Sequence, residues 1–261
     1  MKGKSIRLDN FIVENNLCDS RNKAKSLIKA GIVSVDGKIV LKPALMIGDS
    51  ADVKILSRHT YVARSAYKLI NALDCFGIDL KGMVAADIGA STGGFSQVLL
   101  ERGAKKVYAV DVGTGQLNEK LLSDNRIVNM EKVNARNLNS AMFDSVIDLV
   151  TVDLSFISLS YVLKPAYDIL NSKGSLICLV KPQFELGPCY LSKNGVVKDI
   201  KLHYEAVLKI AKFAVQLGFS LCSGCYSGVA GESGNREYFL YLIKDSNVPS
   251  MGFDKLKEYL K

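Results

Sequence analysis

Long apolar runs, histidines and paired cysteine motifs are all scarce in this 261-residue chain, and each scarcity removes a class of function. No stretch approaches the ~18 consecutive apolar residues of a membrane-crossing helix, so no membrane span is expected. Met1-Lys2-Gly3-Lys4-Ser5 runs into Ile6-Arg7-Leu8-Asp9 without a secretory apolar core, and a cytoplasmic protein is expected. Six scattered cysteines then read as reduced thiols. Cys222-Ser-Gly-Cys225 has CxxC spacing but no second pair, and neither His59 nor His203 stands at ligand spacing. It reads as a chance pair in a strand, with no metal site. Internal repeats and low-complexity tracts are missing too. The length suffices for a full α/β core and a small appendage.

What the chain does have is positive charge, concentrated at its start. The net charge is +8, and residues 1–60 hold eleven Lys and Arg against six Asp and Glu. A basic head on a less charged body points to a polyanionic partner.

One stretch organises the remainder. Val84-Ala85-Ala86-Asp87-Ile88 is an apolar run of strand length, Gly89-Ala90-Ser91-Thr92-Gly93-Gly94 is a glycine-bearing turn, and a helical pattern starts at Phe95. Strand, turn and helix form the first crossover of a nucleotide-type α/β sheet. Asp111 follows Gly89 by 22 residues at the end of the next apolar run, an offset suited to ribose hydroxyls. A dinucleotide needs closer glycines for its pyrophosphate, and Asp87 would repel a phosphate. Asp87 is suited instead to orienting the loop or receiving an ammonium, while the helix N-terminus takes a carboxylate. S-adenosylmethionine carries both groups. A turn serving only packing is an equal alternative for the motif alone; Asp111 favours the methyl donor, with residues 87–95 and 111 as its site.

In chain order, Leu8, Phe11 and Ile12 recur at helical spacing, and Ser20 is placed to cap a helix over 21–29. Arg21, Lys25 and Lys29 form one ridge on it. Val33 and Val35 alternate, Asp36-Gly37 is a hairpin turn, Ile39–Leu41 returns, and 53–56 is a third strand. Residues 1–56 thus make a small α+β domain. Residues 57–63 read as a linker, and 64–76 as an amphipathic helix with Arg64 and Lys68 together on its polar face. Strands are expected at 83–88, 106–110, 126–130, 148–153, 174–180, 219–228 and 237–243, a seven-stranded, Rossmann-like sheet over 64–245. Pro165 implies a kink or a new helix start. Residues 183–198 read as a polar loop, 199–217 as a long helix, and 246–261 as a tail docked by Phe253, Leu256 and Leu260.

Ligands of open α/β sheets bind beyond the carboxyl ends of the strands. Asp153 and Lys181 end two strands, Glu237 begins the last, and Lys68 lies one helix before the first. Two lysines and two carboxylates on one rim satisfy each other's charge. Burial or a cationic neighbour can tune such a lysine into a base, and Lys181 is the candidate. Taken singly, each residue reads as a solvated charge.

Two resemblances sharpen this reading. Arg7-Leu8-Asp9, Ser20-Arg21, Leu27-Ile28-Lys29-Ala30-Gly31, Val33-x-Val35-Asp36-Gly37 and Lys42-Pro43 resemble the S-four-type RNA-binding domain, whose second helix lies against RNA phosphates. Arg7, Arg21, Lys25, Lys29, Lys42 and Arg64 are accordingly the candidate RNA contacts. Asp87-Ile-Gly-Ala-Ser-Thr-Gly-Gly-Phe, Asp153-Leu-Ser-Phe-Ile-Ser-Leu, Lys181-Pro-Gln-Phe-Glu-Leu-Gly and Gly234-Asn-Arg-Glu237-Tyr-Phe-Leu are similar to the TlyA-type ribosomal RNA 2′-O-methyltransferases. These enzymes join an S-four-type domain to an FtsJ-like, class I methyltransferase domain and were first named haemolysins. The resemblance implies a tetrad at Lys68, Asp153, Lys181 and Glu237. It also implies S-adenosylmethionine at 87–95 and 111, and cytidine 2′-O-methylation in ribosomal RNA or ribosomal subunits. The sequence itself is silent on oligomeric state, and a monomer is the working expectation.

Three other readings compete with this one. A base methyltransferase usually carries a cysteine nucleophile or an Asn/Asp-Pro-Pro-aromatic loop, and Asp153-Leu-Ser-Phe is neither. A pore-forming haemolysin needs a membrane segment, and 199–217 has the stripe of a sheet-covering helix. A non-catalytic ribosome-assembly factor would bind RNA without turnover.

Overall fold

The computed structural model describes residues 5–29, 31–48, 50–55, 61–231, 234–245 and 247–260. Leu56 at the end of the expected third strand, residues 57–60 of the expected linker, the loop residues Glu232 and Ser233, and the first four residues lie outside them. The chain divides into two units, Met1–Arg64 and Ser65–Lys261.

In the first unit the elements are β1 (Ser5–Arg7), α1 (Leu8–Glu14), α2 (Arg21–Lys29), β2 (Val33–Val35), β3 (Lys38–Ile39), β4 (Met46–Gly48) and β5 (Val53–Ile55). The Ser20 hydroxyl accepts the Lys23 N–H and caps α2. Asp36 and Gly37 both take left-handed φ, +50° and +77°, which turns β2 back into β3 through a two-residue hairpin. β5 pairs with the other side of β2, and β1 pairs with β4, a contact the sequence pattern did not announce. Leu8, Ile12, Ala24, Leu27, Ile28 and Ile47 close the core.

The second unit runs α3 (Ser65–Phe76), β6 (Val84–Ile88), α4 (Gly94–Glu101), β7 (Lys106–Val110), α5 (Glu119–Leu122), β8 (Ile127–Met130), β9 (Ile147–Val152), α6 (Leu163–Ile169), β10 (Leu170–Val180), α7 (Pro182–Glu185), α8 (Ile200–Gln216), β11 (Ser220–Tyr226), β12 (Tyr238–Ile243) and α9 (Phe253–Tyr259). Seven strands form one sheet in the order β11-β12-β10-β9-β6-β7-β8. β10, β9, β6, β7 and β8 are mutually parallel, whereas β12 runs antiparallel to both β10 and β11. The central strands are mostly apolar because helices cover both faces, with Asp87 and Thr151 as a buried polar pair among them. Val84, Ala86, Ile88, Val150 and Val152 are buried in the same cluster as Val207, Ile210 and Ala214 of α8.

At Pro165 the structure takes one of the two expected alternatives, and two other local expectations change. Pro165 lies in the first turn of α6 and marks a new start behind a 3₁₀ turn at Leu159–Tyr161. The stretch 183–198 is more than a polar loop: it holds α7, a second 3₁₀ turn and a buried carboxylate, Glu185. Glu237 sits one residue ahead of β12. The tail docks as expected, with Leu256 and Leu260 fully buried.

Candidate functional site

Backbone register brings three of the four expected charges to one rim. Val180 pairs with Tyr238, so Lys181 and Glu237 stand one step beyond, on neighbouring strands. Val152 pairs with both Ile88 and Cys178, and the Asp153 N–H continues to the Ile88 carbonyl at 3.0 Å. α3 supplies the fourth. Lys68 Nζ lies 2.7 Å from Glu237 Oε2, and Lys181 Nζ lies 2.6 Å from Asp153 Oδ1. Lys181 also donates to Ser155 Oγ at 3.0 Å, and its ammonium faces the Phe184 ring at 6.0 Å. Lys68, Lys181 and Glu237 are buried, at 8, 8 and 2% exposure. That corrects one expectation: Lys68 does not share a solvated face with Arg64, which is exposed just ahead of α3. A lysine left unpaired at that depth would carry a large desolvation penalty, and Glu237 offsets it.

The glycine loop leads from β6 to α4 beside this rim. Gly89 has φ +86°, and a Cβ there would overlap the Asp153 carbonyl oxygen and lie 3.0 Å from Leu154 Cδ2. Gly93, with φ +94°, precedes α4, and a Cβ on it would run into Leu117 and Leu121. Ser91 and Thr92 are exposed, Ala90, Gly93 and Gly94 buried. Asp111 braces the loop from below, its Oδ2 accepting the Ser91 N–H and its Oδ1 the Gly113 N–H, both at 2.8 Å.

Two residues expected to meet a ligand face inward instead. Asp87 is fully buried; its carboxylate accepts the Ser96 hydroxyl at 2.7 Å and the Thr151 hydroxyl at 3.0 Å. Burial pushes its carboxyl up to about 7 despite those two bonds, and the charge of Asp153 adds to the rise. Asp87 therefore takes the loop-orienting alternative, tying β6 to α4 and β9. Phe95 is 3% exposed and packs on Phe239, with ring centroids 6.0 Å apart.

Phe156 escaped the sequence reading. It is 90% exposed, has a left-handed φ of +64°, and leans on Phe184 at 5.1 Å between centroids. A large apolar side chain in that backbone region is a strained exception, and such exceptions cluster at functional sites. Position Asp153-Leu-Ser-Phe156 in the motif was its only sequence signal. Asn235 (1% exposed) bonds the Val197 N–H and the Gly195 carbonyl, each at 3.0 Å, and so fastens the 192–197 turn to the loop carrying Glu237.

In the first unit, Asp9 is buried beneath two of the expected RNA contacts. Arg7 forks onto both of its oxygens at 3.0 Å, and Arg21 Nε reaches Oδ2 at 3.1 Å. The Arg7 guanidinium, helped by Arg21, holds the Asp9 carboxyl down at about 2 against its burial. Lys29 and Lys42 are exposed, while Lys25 is half-buried, so the ridge on α2 is less open than its spacing implied.

No group of three or more His, Cys, Asp or Glu among the described residues could hold a metal ion. None of the described helices is long and apolar enough to cross a membrane.

Residues 61–244 match the FtsJ-like methyltransferase family, and residues 6–53 match the S4 domain. The chain is 42% identical to the 16S/23S rRNA (cytidine-2′-O)-methyltransferase TlyA of Mycobacterium tuberculosis, over 92% of this chain and 90% of that one. A solved structure from Streptococcus thermophilus, named as a hemolysin, superposes with a TM-score of 0.75 at 36% identity, covering 98% of this chain and 94% of that one. An S-adenosylmethionine-dependent methyltransferase from Listeria monocytogenes superposes with a TM-score of 0.53 at 17% identity, covering 69% of this chain and 99% of that one, and shares the fold.

Proposed function

Given that the chain belongs to the FtsJ-like methyltransferase family, we propose that it moves the methyl group of S-adenosylmethionine onto the ribose 2′-hydroxyl of a cytidine in ribosomal RNA. The observation that carries this reading is the pairing at the rim: Lys68 with Glu237 and Lys181 with Asp153, next to the glycine loop.

The loop suits the donor by its chemistry. Gly89 and Gly93 let the loop pack closely on Asp153 and on Leu117 and Leu121, the N-terminus of α4 favours a carboxylate, and Asp111, which braces the loop through Ser91 and Gly113, has acceptor capacity for ribose hydroxyls. When bound, S-adenosylmethionine supplies a methyl group activated on a sulfonium. Ser91 and Thr92 lie on the open side of the loop, and Asp87 keeps it in place from beneath.

A ribose hydroxyl is a weak nucleophile, so transfer depends on alignment and on removal of its proton. Lys181 Nζ, acting in its free-amine form, takes up the proton that the ribose hydroxyl gives up. Asp153 holds Lys181 in place and stabilises the ammonium once the proton has arrived. Lys68, anchored by Glu237, brings a second positive charge toward the oxygen as it loses its proton. Phe156 offers a flat apolar face for a nucleobase turned out of its stack. Arg7, Arg21, Lys29 and Lys42 supply phosphate contacts. The name of the Mycobacterium tuberculosis relative specifies cytidine in 16S and 23S rRNA, which supports the choice of acceptor.

The test uses S-adenosylmethionine carrying a labelled methyl, with isolated 30S and 50S subunits and the free RNAs. After transfer the RNA is digested to nucleosides. Label in 2′-O-methylcytidine is expected. Label in a methylated base, or none in any RNA, overturns the reading.

A further inference from the structure

The two motif loops of the rim are held together by a residue that takes no part in the chemistry above. Glu185, at the end of α7, is 5% exposed. Its carboxylate accepts the Ser158 hydroxyl through Oε2 and the Leu159 N–H through Oε1, the latter at 2.8 Å. Its own backbone carbonyl accepts Lys209 Nζ of α8 at 2.8 Å. Glu185 is thus a node joining α8, α7 and the segment that follows β9.

That segment, 153–158, carries both Lys181 partners, Asp153 and Ser155, and the left-handed Phe156. It is fixed at its start, where the Asp153 N–H continues the sheet to Ile88. At its far end Leu159 is buried in the core with Ile157 packed against it, and Glu185 supplies the side-chain hydrogen bonds that fix the backbone there. A strained φ persists only where the surroundings hold it from both sides. Losing the far anchor lets Phe156 relax toward an ordinary backbone conformation, and the Ser155 and Asp153 side chains shift with it. Because Lys181 is the N-cap of α7, the same carboxylate sets the distance between Lys181 and its partners from the opposite loop.

We infer that Glu185 is a positioning residue for methyl transfer, locking the Asp153–Ser158 segment to the Lys181–Glu185 segment so that Lys181 meets the acceptor hydroxyl. The inference rests on the transfer reaction proposed above. Burial raises the Glu185 carboxyl above its ordinary range, opposed by the Leu159 and Ser158 bonds. This is the expected condition of a charge held for geometry and away from solvent.

The test compares wild type, Glu185→Gln and Glu185→Ala, with Ser158→Ala as a milder cut. Glutamine can accept the Leu159 N–H and donate to the Ser158 oxygen, so it retains the lock; alanine cannot. Single-turnover transfer to ribosomal subunits is measured beside S-adenosylmethionine affinity and amide exchange at Leu159. For Glu185→Ala, a rate loss of about tenfold or more is expected, with donor affinity within about twofold and faster Leu159 exchange. Glu185→Gln is expected within about threefold of wild type. If Glu185→Ala fails to fold, Ser158→Ala carries the test, with a several-fold lower rate expected. A wild-type rate in Glu185→Ala, or in Ser158→Ala where it carries the test, overturns the inference. So does equal impairment of a folded Gln variant and the Ala variant. Absence of transfer by wild type overturns the proposed function itself, which separates the two failures.

Discussion

Replacing Gly89 by alanine adds one methyl group at the point where the first crossover meets the rim that carries Asp153 and Lys181. Two effects follow and can be told apart. The left-handed φ of +86° costs an alanine about 1–2 kcal/mol. The new Cβ also overlaps the Asp153 carbonyl oxygen, a backbone atom fixed by the β6–β9 ladder, and forcing a methyl into such a site costs about 1–3 kcal/mol more. Gly82 isolates the first effect: its φ is +77°, and a Cβ there would meet nothing within 4 Å. Gly89→Ala should therefore melt below Gly82→Ala by about 2–12 °C, taking about 2–4 °C per kcal/mol for a unit of this size. Relief of the clash moves Asp153, whose carboxylate holds Lys181, and a misplacement near 1 Å costs about 10²-fold in rate. Thermal melts of both variants and single-turnover transfer provide the check. Equal melting temperatures with wild-type transfer by Gly89→Ala would refute the close approach of loop and rim.

Lys181→Met keeps the apolar stem but removes the nitrogen, and should lower transfer by about 10²–10⁴-fold with little change in donor affinity by calorimetry. Asp87→Asn tests the buried carboxylate. Its folded-state value near 7 exceeds the ordinary 3.8, so the native state binds the extra proton and wild-type stability declines from about pH 4 to about pH 7. The Asn variant should lack that decline, gaining on the order of 1–4 kcal/mol relative to wild type at pH 8, read from urea midpoints. Asp9 has the opposite sign. Its value is depressed to about 2, so its contribution is present above 3.8 and lost as pH falls toward 2. The stability gap between wild type and Asp9→Ala should close over that acid window; a gap independent of pH would contradict the arginine clamp.

Repetition and punctuation made most of the architecture readable. The seven strands of the large sheet announce themselves as apolar runs, and Asp36-Gly37 specifies its hairpin through backbone chemistry alone. β1 and β4 gave no such sign, since three residues are too few for alternation to show. At the rim, the residues were legible but their partners were not: that Lys181 meets Asp153, and Lys68 meets Glu237, depends on strand order and on a contact spanning 169 positions. Lys68 was misread as solvated because helical spacing from Arg64 places it on a polar stripe, and the stripe turns under the loop that carries Glu237. Asp87 and Phe95 sit inside a ligand-binding motif, yet they support it from within. The role of Glu185 is invisible in sequence because it is defined by the turn it receives, 26 positions earlier.

The order of strands also dictates when the enzyme can exist. Among the described residues β11 has β12 as its one neighbour in the sheet, and β12 lies between β11 and the earlier β10. During synthesis, β11 emerges from the ribosome with no strand to join, and Lys68 waits for a counterion made 169 residues later. The glycine loop and the Lys181–Asp153 pair can assemble earlier, but the Lys68–Glu237 pair forms only once Glu237 has been made, and on the proposed assignment a chain cut before it is expected to lack transfer activity.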